Sequence, residues 1–164
     1  MRLSERGALR HIRSEESPMK VEDIMTDSPV TCMKDTSLQQ AAKWMVDGDC
    51  GALPVVDSEN KPVGVITDRD ITCRTVAQGK NPLEMTVADA MTAGAATVYR
   101  DTDLEECRTL MEDTQVRRMV VLDDDGTVCG MVSQADIARH VPPDEAAELV
   151  RGISEETSAP SMLH

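Results

Sequence analysis

Laid over itself with a shift of 66 residues, the chain matches without a gap. Val21-Glu22-Asp23-Ile24-Met25-Thr26 falls on Val87-Ala88-Asp89-Ala90-Met91-Thr92, and Asp35-Thr36-Ser37-Leu38 on Asp101-Thr102-Asp103-Leu104. Met45-Val46-Asp47 meets Met111-Glu112-Asp113, and Val55-Val56-Asp57 meets Val121-Leu122-Asp123. Gly64-Val65-Ile66-Thr67 meets Gly130-Met131-Val132-Ser133, and Asp70-Ile71 meets Asp136-Ile137. Matches in register along a whole unit mark a tandem duplication. A unit of about 60 residues buries too little surface to stand comfortably alone, so two joined copies are expected to pack against each other.

Each copy reads in the same order. A short strand around Val30-Thr31-Cys32, or Thr97-Val98-Tyr99, precedes a helix. Thr36-x-x-Gln39 and Thr102-x-x-Glu105 fit the capping box that starts it. Leu38, Ala41, Ala42 and Met45 line one helical face, as do Leu104, Cys107 and Met111. Two strands follow at 52–56 and 63–66, joined by the polar turn Asp57-Ser58-Glu59-Asn60-Lys61. The second copy places strands at 119–122 and 129–132 around Asp123-Asp124-Asp125-Gly126. A second helix starts at Thr67 or Ser133. The predicted class is therefore α/β (α+β), with strand, helix, strand, strand, helix given twice.

Residues 77–85, with Gly79 and Pro82, connect the copies. The organisation is an N-terminal arm (1–18), a first unit (19–80), a second unit (81–142) and a C-terminal segment (143–164). Residues 1–20 carry five Arg or Lys against three Glu, and an arm that is mobile or ordered by a partner is expected there. After Pro142-Pro143, the spacing of Ala146, Leu149, Val150 and Ile153 predicts a short amphipathic helix. It would pack on its own domain or on a dimer mate. The stretch 154–164 reads as disordered.

Composition removes several functions. With 17 Lys and Arg against 30 Asp and Glu, the net charge is −13, which argues against nucleic acid as the main partner. The chain has no Phe, one Trp (Trp44) and one Tyr (Tyr99), too few rings to stack bases. No apolar run approaches the roughly 18 residues that span a bilayer, and Met1-Arg2-Leu3-Ser4-Glu5 lacks a secretory apolar segment. Cys32, Cys50, Cys73, Cys107 and Cys129 are odd in number and include no C-x-x-C pair. They read as reduced, mostly buried thiols of a cytoplasmic protein. His11, His140 and His164 are scattered, and no metal site is expected. No G-x-S-x-G, P-loop, H-E-x-x-H or Cys–His pattern supports catalysis.

The best-matched pieces are Gly64-Val65-Ile66-Thr67-Asp68-Arg69-Asp70-Ile71 and Gly130-Met131-Val132-Ser133-Gln134-Ala135-Asp136-Ile137. Each sets a hydroxyl at a strand-to-helix turn and a carboxylate one helical turn on, on the same side. Exposed amides there favour phosphate, and a carboxylate accepts from ribose hydroxyls. Thr67-x-x-Asp70 and Ser133-x-x-Asp136 equally satisfy a capping box that needs no ligand. The local pattern leaves both readings open.

With D-I-M-T near its start, A-L-P-V-V-D in the middle and G-V-I-T-D-R-D-I at its end, the repeat resembles a pair of CBS domains, the Bateman module. The likeness covers about residues 19–142. Val116-Arg117-Arg118-Met119-Val120-Val121 and Ala135-Asp136-Ile137-Ala138-Arg139-His140 are similar to the small stand-alone CBS-pair proteins of bacterial stress and hypoxia responses. The resemblance implies two units related by a pseudo-twofold axis, often dimerised, with adenine nucleotides bound in clefts between them. It also implies that Thr67 and Asp70, and Ser133 and Asp136, hold ribose and phosphate.

The same likeness places a phosphate-contacting basic residue just before Leu53-Pro54, where this chain has Ala52, and before Met119, where it has Arg118. The Thr67/Asp70 cleft would then gain Arg118 and Arg69, while the Ser133/Asp136 cleft would face only Ala52 and Ala135. Arg117 and Arg118 could instead pair with nearby acids. Val30 and Ala96 would wall the base, or serve as ordinary strand residues. The resemblance thus implies a homodimeric regulatory protein without catalysis or required cofactor. It would bind AMP, ADP, ATP or NAD and signal by shape change to a separate protein. The alternative is a structural CBS-pair dimer that has lost the ligand.

Overall fold

The computed structural model describes residues 17–154. Nearly all of the arm expected at 1–18, and the tail after Ser154, lie outside those residues. The first half contains β1 (Thr26–Asp27), α1 (Leu38–Asp47), β2 (Ala52–Val56), β3 (Pro62–Thr67), α2 (Asp68–Arg74), α3 (Val87–Ala90) and β4 (Thr92–Ala93). The second contains β5 (Thr97–Tyr99), α4 (Leu104–Thr114), β6 (Arg118–Leu122), β7 (Val128–Ser133), α5 (Gln134–Ala138) and α6 (Pro143–Ser154). The connector forms short 3-10 turns at Val76–Gln78 and Pro82–Glu84.

Apolar spacing turns Leu38, Ala41 and Met45 of α1 inward, and Leu104, Cys107 and Met111 of α4. Both helices start one residue later than their Thr-x-x-Gln/Glu patterns suggest. Ser37 caps α1 by accepting from Gln40 N at 3.1 Å, and Asp103 stands at the cap of α4. Thr36 Oγ1 is committed elsewhere, accepting from Met33 N at 3.1 Å in the preceding turn.

The strand expected at Val30-Thr31-Cys32 shrinks to one bridge between Cys32 and Val55, whereas its twin β5 pairs parallel with β6 over three residues. The reason is Pro54. In the second copy Val120 N donates to Ala96 O at 2.9 Å. The matching residue of the first copy is Pro54, which has no amide hydrogen to give to Val30.

The segments that precede the two repeats change places. Val21 is fully buried in the core of the second copy, beside Val98, Leu104 and Met111. Val87 and Ala90 are fully buried in the core of the first, beside Leu38, Leu53 and Ile66. The backbone does the same: Leu104 N donates to Met19 O at 2.8 Å, and Leu38 N to Met85 O at 3.0 Å. Strand β1 accordingly adds to β7, and β4 to β3, giving sheets ordered β1-β7-β6-β5 and β2-β3-β4. Gly130 and Gly64 mark the two crossings, where a methyl group would strike Met25 and Thr26, or Met91 and Thr92.

Between the halves, Val56 packs with Val120, Leu122 and Val128 in a third cluster. Asn60 fixes the register there: its O accepts from Val128 N at 3.0 Å and its Nδ2 donates to Val128 O at 3.1 Å. Helix α6 buries Leu149 and Ile153 in the core of the second copy, and Gln115 Nε2 donates to Gly152 O at 2.6 Å. It therefore packs on its own domain. All five cysteines are free, but only Cys32 and Cys107 are buried; Cys50 and Cys73 are exposed, contrary to the expectation of mostly buried thiols. No helix among the described residues is long and apolar enough to cross a membrane.

Candidate functional site

The two matched motifs end β3 and β7 and open α2 and α5. In each, the capping box forms in full. Thr67 N donates to Asp70 Oδ2 at 3.1 Å and Asp70 N to Thr67 Oγ1 at 3.0 Å. Ser133 N donates to Asp136 Oδ2 at 2.9 Å and Asp136 N to Ser133 Oγ at 3.2 Å. Capping occupies one carboxylate oxygen only. The other, Oδ1, lies 3.7 Å from Arg74 in Asp70 and 3.1 Å from Arg139 in Asp136. The hydroxyls differ: Ser133 Oγ also donates to Asp136 Oδ2 at 2.7 Å, whereas Thr67 Oγ1 makes no such bond and keeps its hydrogen free to donate. With seven and five residues, α2 and α5 are short, so little of the charge for an anion comes from their dipoles.

Two clefts lie at these turns. The larger, about 660 Å³, is lined by Thr67, Asp68, Arg69, Ala96, Arg117 and Arg118 together with Val65 and Val116. The smaller, about 290 Å³, is lined by Ala52, Arg118, Ser133, Asp136, Arg139 and Asp49. The structure thus brings Thr67, Arg69, Arg118 and Ala96 together, and Ser133, Asp136 and Ala52 together. Asp70 does not line the larger cleft; it sits behind Thr67 in the capping box. Val30 is 47 % exposed and does not line the smaller cleft, so it is not the twin of Ala96 that the repeat suggests. The Ser133/Asp136 cleft is also not without arginine, since Arg118 and Arg139 both reach it. Arg139 follows Asp136 by three residues, a helical pairing distance the sequence shows. Nothing in the sequence signals that Arg118 reaches both clefts.

Electrostatics separate seven of the eight described arginines into two groups; the eighth, Arg151 of α6, lines neither cleft and forms no ion pair among the described residues. Arg74, Arg100, Arg108 and Arg139 all form ion pairs, with Asp70, Glu22 and Asp123, Glu105 and Glu112, and Asp136. The hydrogen bond to Glu105 raises the Arg108 pKa and holds the Glu105 carboxyl below its ordinary value. Arg69, Arg117 and Arg118 form no ion pair among the described residues, and all three line the larger cleft. Pairing with nearby acids, the plain alternative for Arg117 and Arg118, does not occur there.

An exchanged pair of repeats with two clefts at strand-to-helix turns defines a tandem two-unit architecture, and comparison places it. The CBS domain family matches residues 21–74 and 87–143, and the chain belongs to it, as a CBS pair. Hypoxic response protein 1 of Mycobacterium tuberculosis is 35 % identical over 132 residues, covering 80 % of this chain and 91 % of the relative. The chain spans 59 % of another relative, the uncharacterized protein MK0525 of Methanopyrus kandleri, at 35 % identity over 73 % of this chain.

Solved CBS pairs share the fold. The CBS pair of MJ0100, in complex with 5'-methylthioadenosine and S-adenosyl-L-methionine, aligns with TM-score 0.68 and 31 % identity over 75 % of this chain and 95 % of that one. CBSX2 of Arabidopsis thaliana, in complex with AMP, aligns with TM-score 0.64 and 25 % identity over 74 % and 95 %. Hypoxic Response Protein I, with two coordinated zinc ions, gives TM-score 0.67 and 32 % identity over 76 % and 100 %. Among the described residues here, no group of three or more His, Cys, Asp or Glu is placed to hold a metal ion.

Proposed function

We propose that this CBS pair is a regulatory protein that binds a phosphorylated adenosine compound in the Thr67 cleft and signals by shape change to a separate protein. One observation carries the reading. In a chain of net charge −13, Arg69, Arg117 and Arg118 meet in one cleft without an ion pair among the described residues. Guanidinium groups left unpaired amid surplus carboxylates fit a bidentate phosphate partner. The Thr67 hydroxyl hydrogen adds a donor, and Ala96, Val65 and Val116 give the base apolar walls. In the smaller cleft, the Asp136 oxygen that capping leaves over can accept from ribose hydroxyls. Three cations in the cleft disfavour the sulfonium of S-adenosylmethionine, which separates this chain's ligand from that of MJ0100.

No catalytic step is assigned: ligand binding itself is the activity, and no cofactor is required. The five free thiols suit a reducing cytoplasm. A difference between the copies supports homodimerisation. Helix α6 covers the second, while Val46 (80 % exposed), Leu83 (65 %) and Ile71 of the first border an open apolar groove that a second copy would cover.

A thermal-shift panel of AMP, ADP, ATP, NAD, adenosine and S-adenosylmethionine tests the proposal. A phosphorylated ligand at 100 times its dissociation constant stabilises the fold by about 2.7 kcal/mol, and S-adenosylmethionine at equal concentration stabilises it less. No shift with any adenine compound would leave the structural dimer as the function.

A further inference from the structure

We infer that Arg118 couples the two clefts, so that a phosphate held in the Thr67 cleft weakens phosphate binding in the Ser133 cleft. The inference rests on the nucleotide reading above. Among the described residues, Arg118 is the one arginine that lines both clefts. Its backbone is pinned opposite Ser133 in the β6–β7 ladder, at the mouth of the smaller cleft. Its guanidinium reaches across to the other half: a methyl group on Gly51 would lie 3.6 Å from Arg118 Nη2 and 3.1 Å from Asp68 Oδ2. The duplication supplies no second guanidinium, because the matching residue, opposite Thr67, is Ala52.

The remaining charges make the sharing unequal. The larger cleft keeps Arg69 and Arg117, against Asp68. The smaller has Arg139, whose guanidinium already faces Asp136 at 3.1 Å, and also carries Asp49. A guanidinium turned to hold one phosphate bidentately in the larger cleft leaves fewer and worse-placed N–H donors for a second phosphate in the smaller. A charge-assisted bond of this type corresponds to about 10- to 150-fold in affinity. The first phosphate therefore takes Arg118, and the second ligand binds without it.

Calorimetric titration with AMP and with adenosine tests this, using a chain whose larger cleft is filled. Ala96→Trp fills it from the wall; Thr92→Trp, at an exposed residue of the same wall, serves where the first substitution lowers the melting temperature. With Arg118 released, the filled chain binds AMP in the smaller cleft at least about tenfold more tightly than the second step of the unsubstituted chain. Adding Arg118→Ala, at an exposed side chain, returns that affinity to the second-step value. Adenosine, with no phosphate, binds the smaller cleft equally in all three proteins.

Equal AMP affinity of the smaller cleft in the filled and unsubstituted chains overturns the coupling. Retention of the gain after Arg118→Ala overturns the role of Arg118 and leaves phosphate–phosphate repulsion as the cause. An equal gain for adenosine overturns the phosphate as the agent. Absence of binding by both AMP and adenosine, in every protein, overturns the nucleotide reading instead.

Discussion

Replacing Gly64 by alanine tests the exchange of edge strands between the copies. Neither Gly64 nor its twin Gly130 has a positive φ, so a methyl group costs nothing in backbone strain and everything in space. At Gly64 the methyl would fall well inside van der Waals contact of Thr92 O, a backbone atom, and of Met91 Cε. Thr92 cannot withdraw alone, because β4 is held by its pairing with Gly64 and Val65 and by Gly94 N donating to Val63 O at 3.1 Å. Overpacking of roughly 1–3 kcal/mol, with one or two weakened ladder bonds of about 1 kcal/mol each, gives about 2–5 kcal/mol in all. For a chain of this size that lowers Tm by about 4–20 °C.

At Gly130 the nearest atom is Met25 Sδ at 2.5 Å, the movable part of a flexible side chain, and Thr26 O stands farther off at 3.1 Å. Gly130→Ala should cost only about 1 kcal/mol, the low end of overpacking. Urea denaturation of both variants measures the difference. Equal losses, or a loss below about 0.5 kcal/mol at Gly64, would refute the crossing geometry.

Asp70→Ala removes the acceptor that caps α2 behind Thr67. It should cost about 1 kcal/mol of stability and leave AMP affinity intact; a loss of about tenfold or more in a folded variant would put the Asp70 carboxylate in contact with the ligand. Burial pushes the thiols of Cys32 and Cys107 up to about 11 from 9.0, so both stay protonated in the native state. A raised folded pKa adds stability below the unfolded value that is lost as pH rises through the folded one; melting temperature should fall between pH 9 and about 11, more than in a Cys32→Ala/Cys107→Ala variant over the same interval. Exposed Cys50 and Cys73 should label first with a thiol reagent at neutral pH. Val46→Asp, at an 80 % exposed position on the open groove, should weaken the dimer in sedimentation equilibrium at tens of micromolar and lower melting there by mass action, while leaving melting unchanged at concentrations where the chain is monomeric.

The repeat made the order of elements readable, because Val, Leu and Ile spacing and Thr or Ser before each second helix are local signals. What the chain does across the repeat was not readable. The match of Val21 to Val87 says that both are buried, but each enters the core of the other copy, and periodicity carries no information on which core receives it. Pro54 was visible, yet its effect falls on Val30, in a strand it was never paired with by sequence. In the clefts, Thr67, Arg69 and Ser133 with Asp136 were placed by motif. Asp70 was placed by the same motif and stays behind its cap, because capping and ligand contact use one spacing. The reach of Arg118 into both clefts depends on side-chain direction across the pseudo-twofold axis, which no linear pattern encodes.

Recognition of phosphate by the Thr67 cleft is the claim on which the proposed function rests. Calorimetric titration of the unsubstituted chain with AMP and with adenosine, in one buffer, asks this directly. The three unpaired arginines predict AMP tighter than adenosine by at least about tenfold, the equivalent of one charge-assisted bond. Equal affinities, or no heat with either compound, would contradict it.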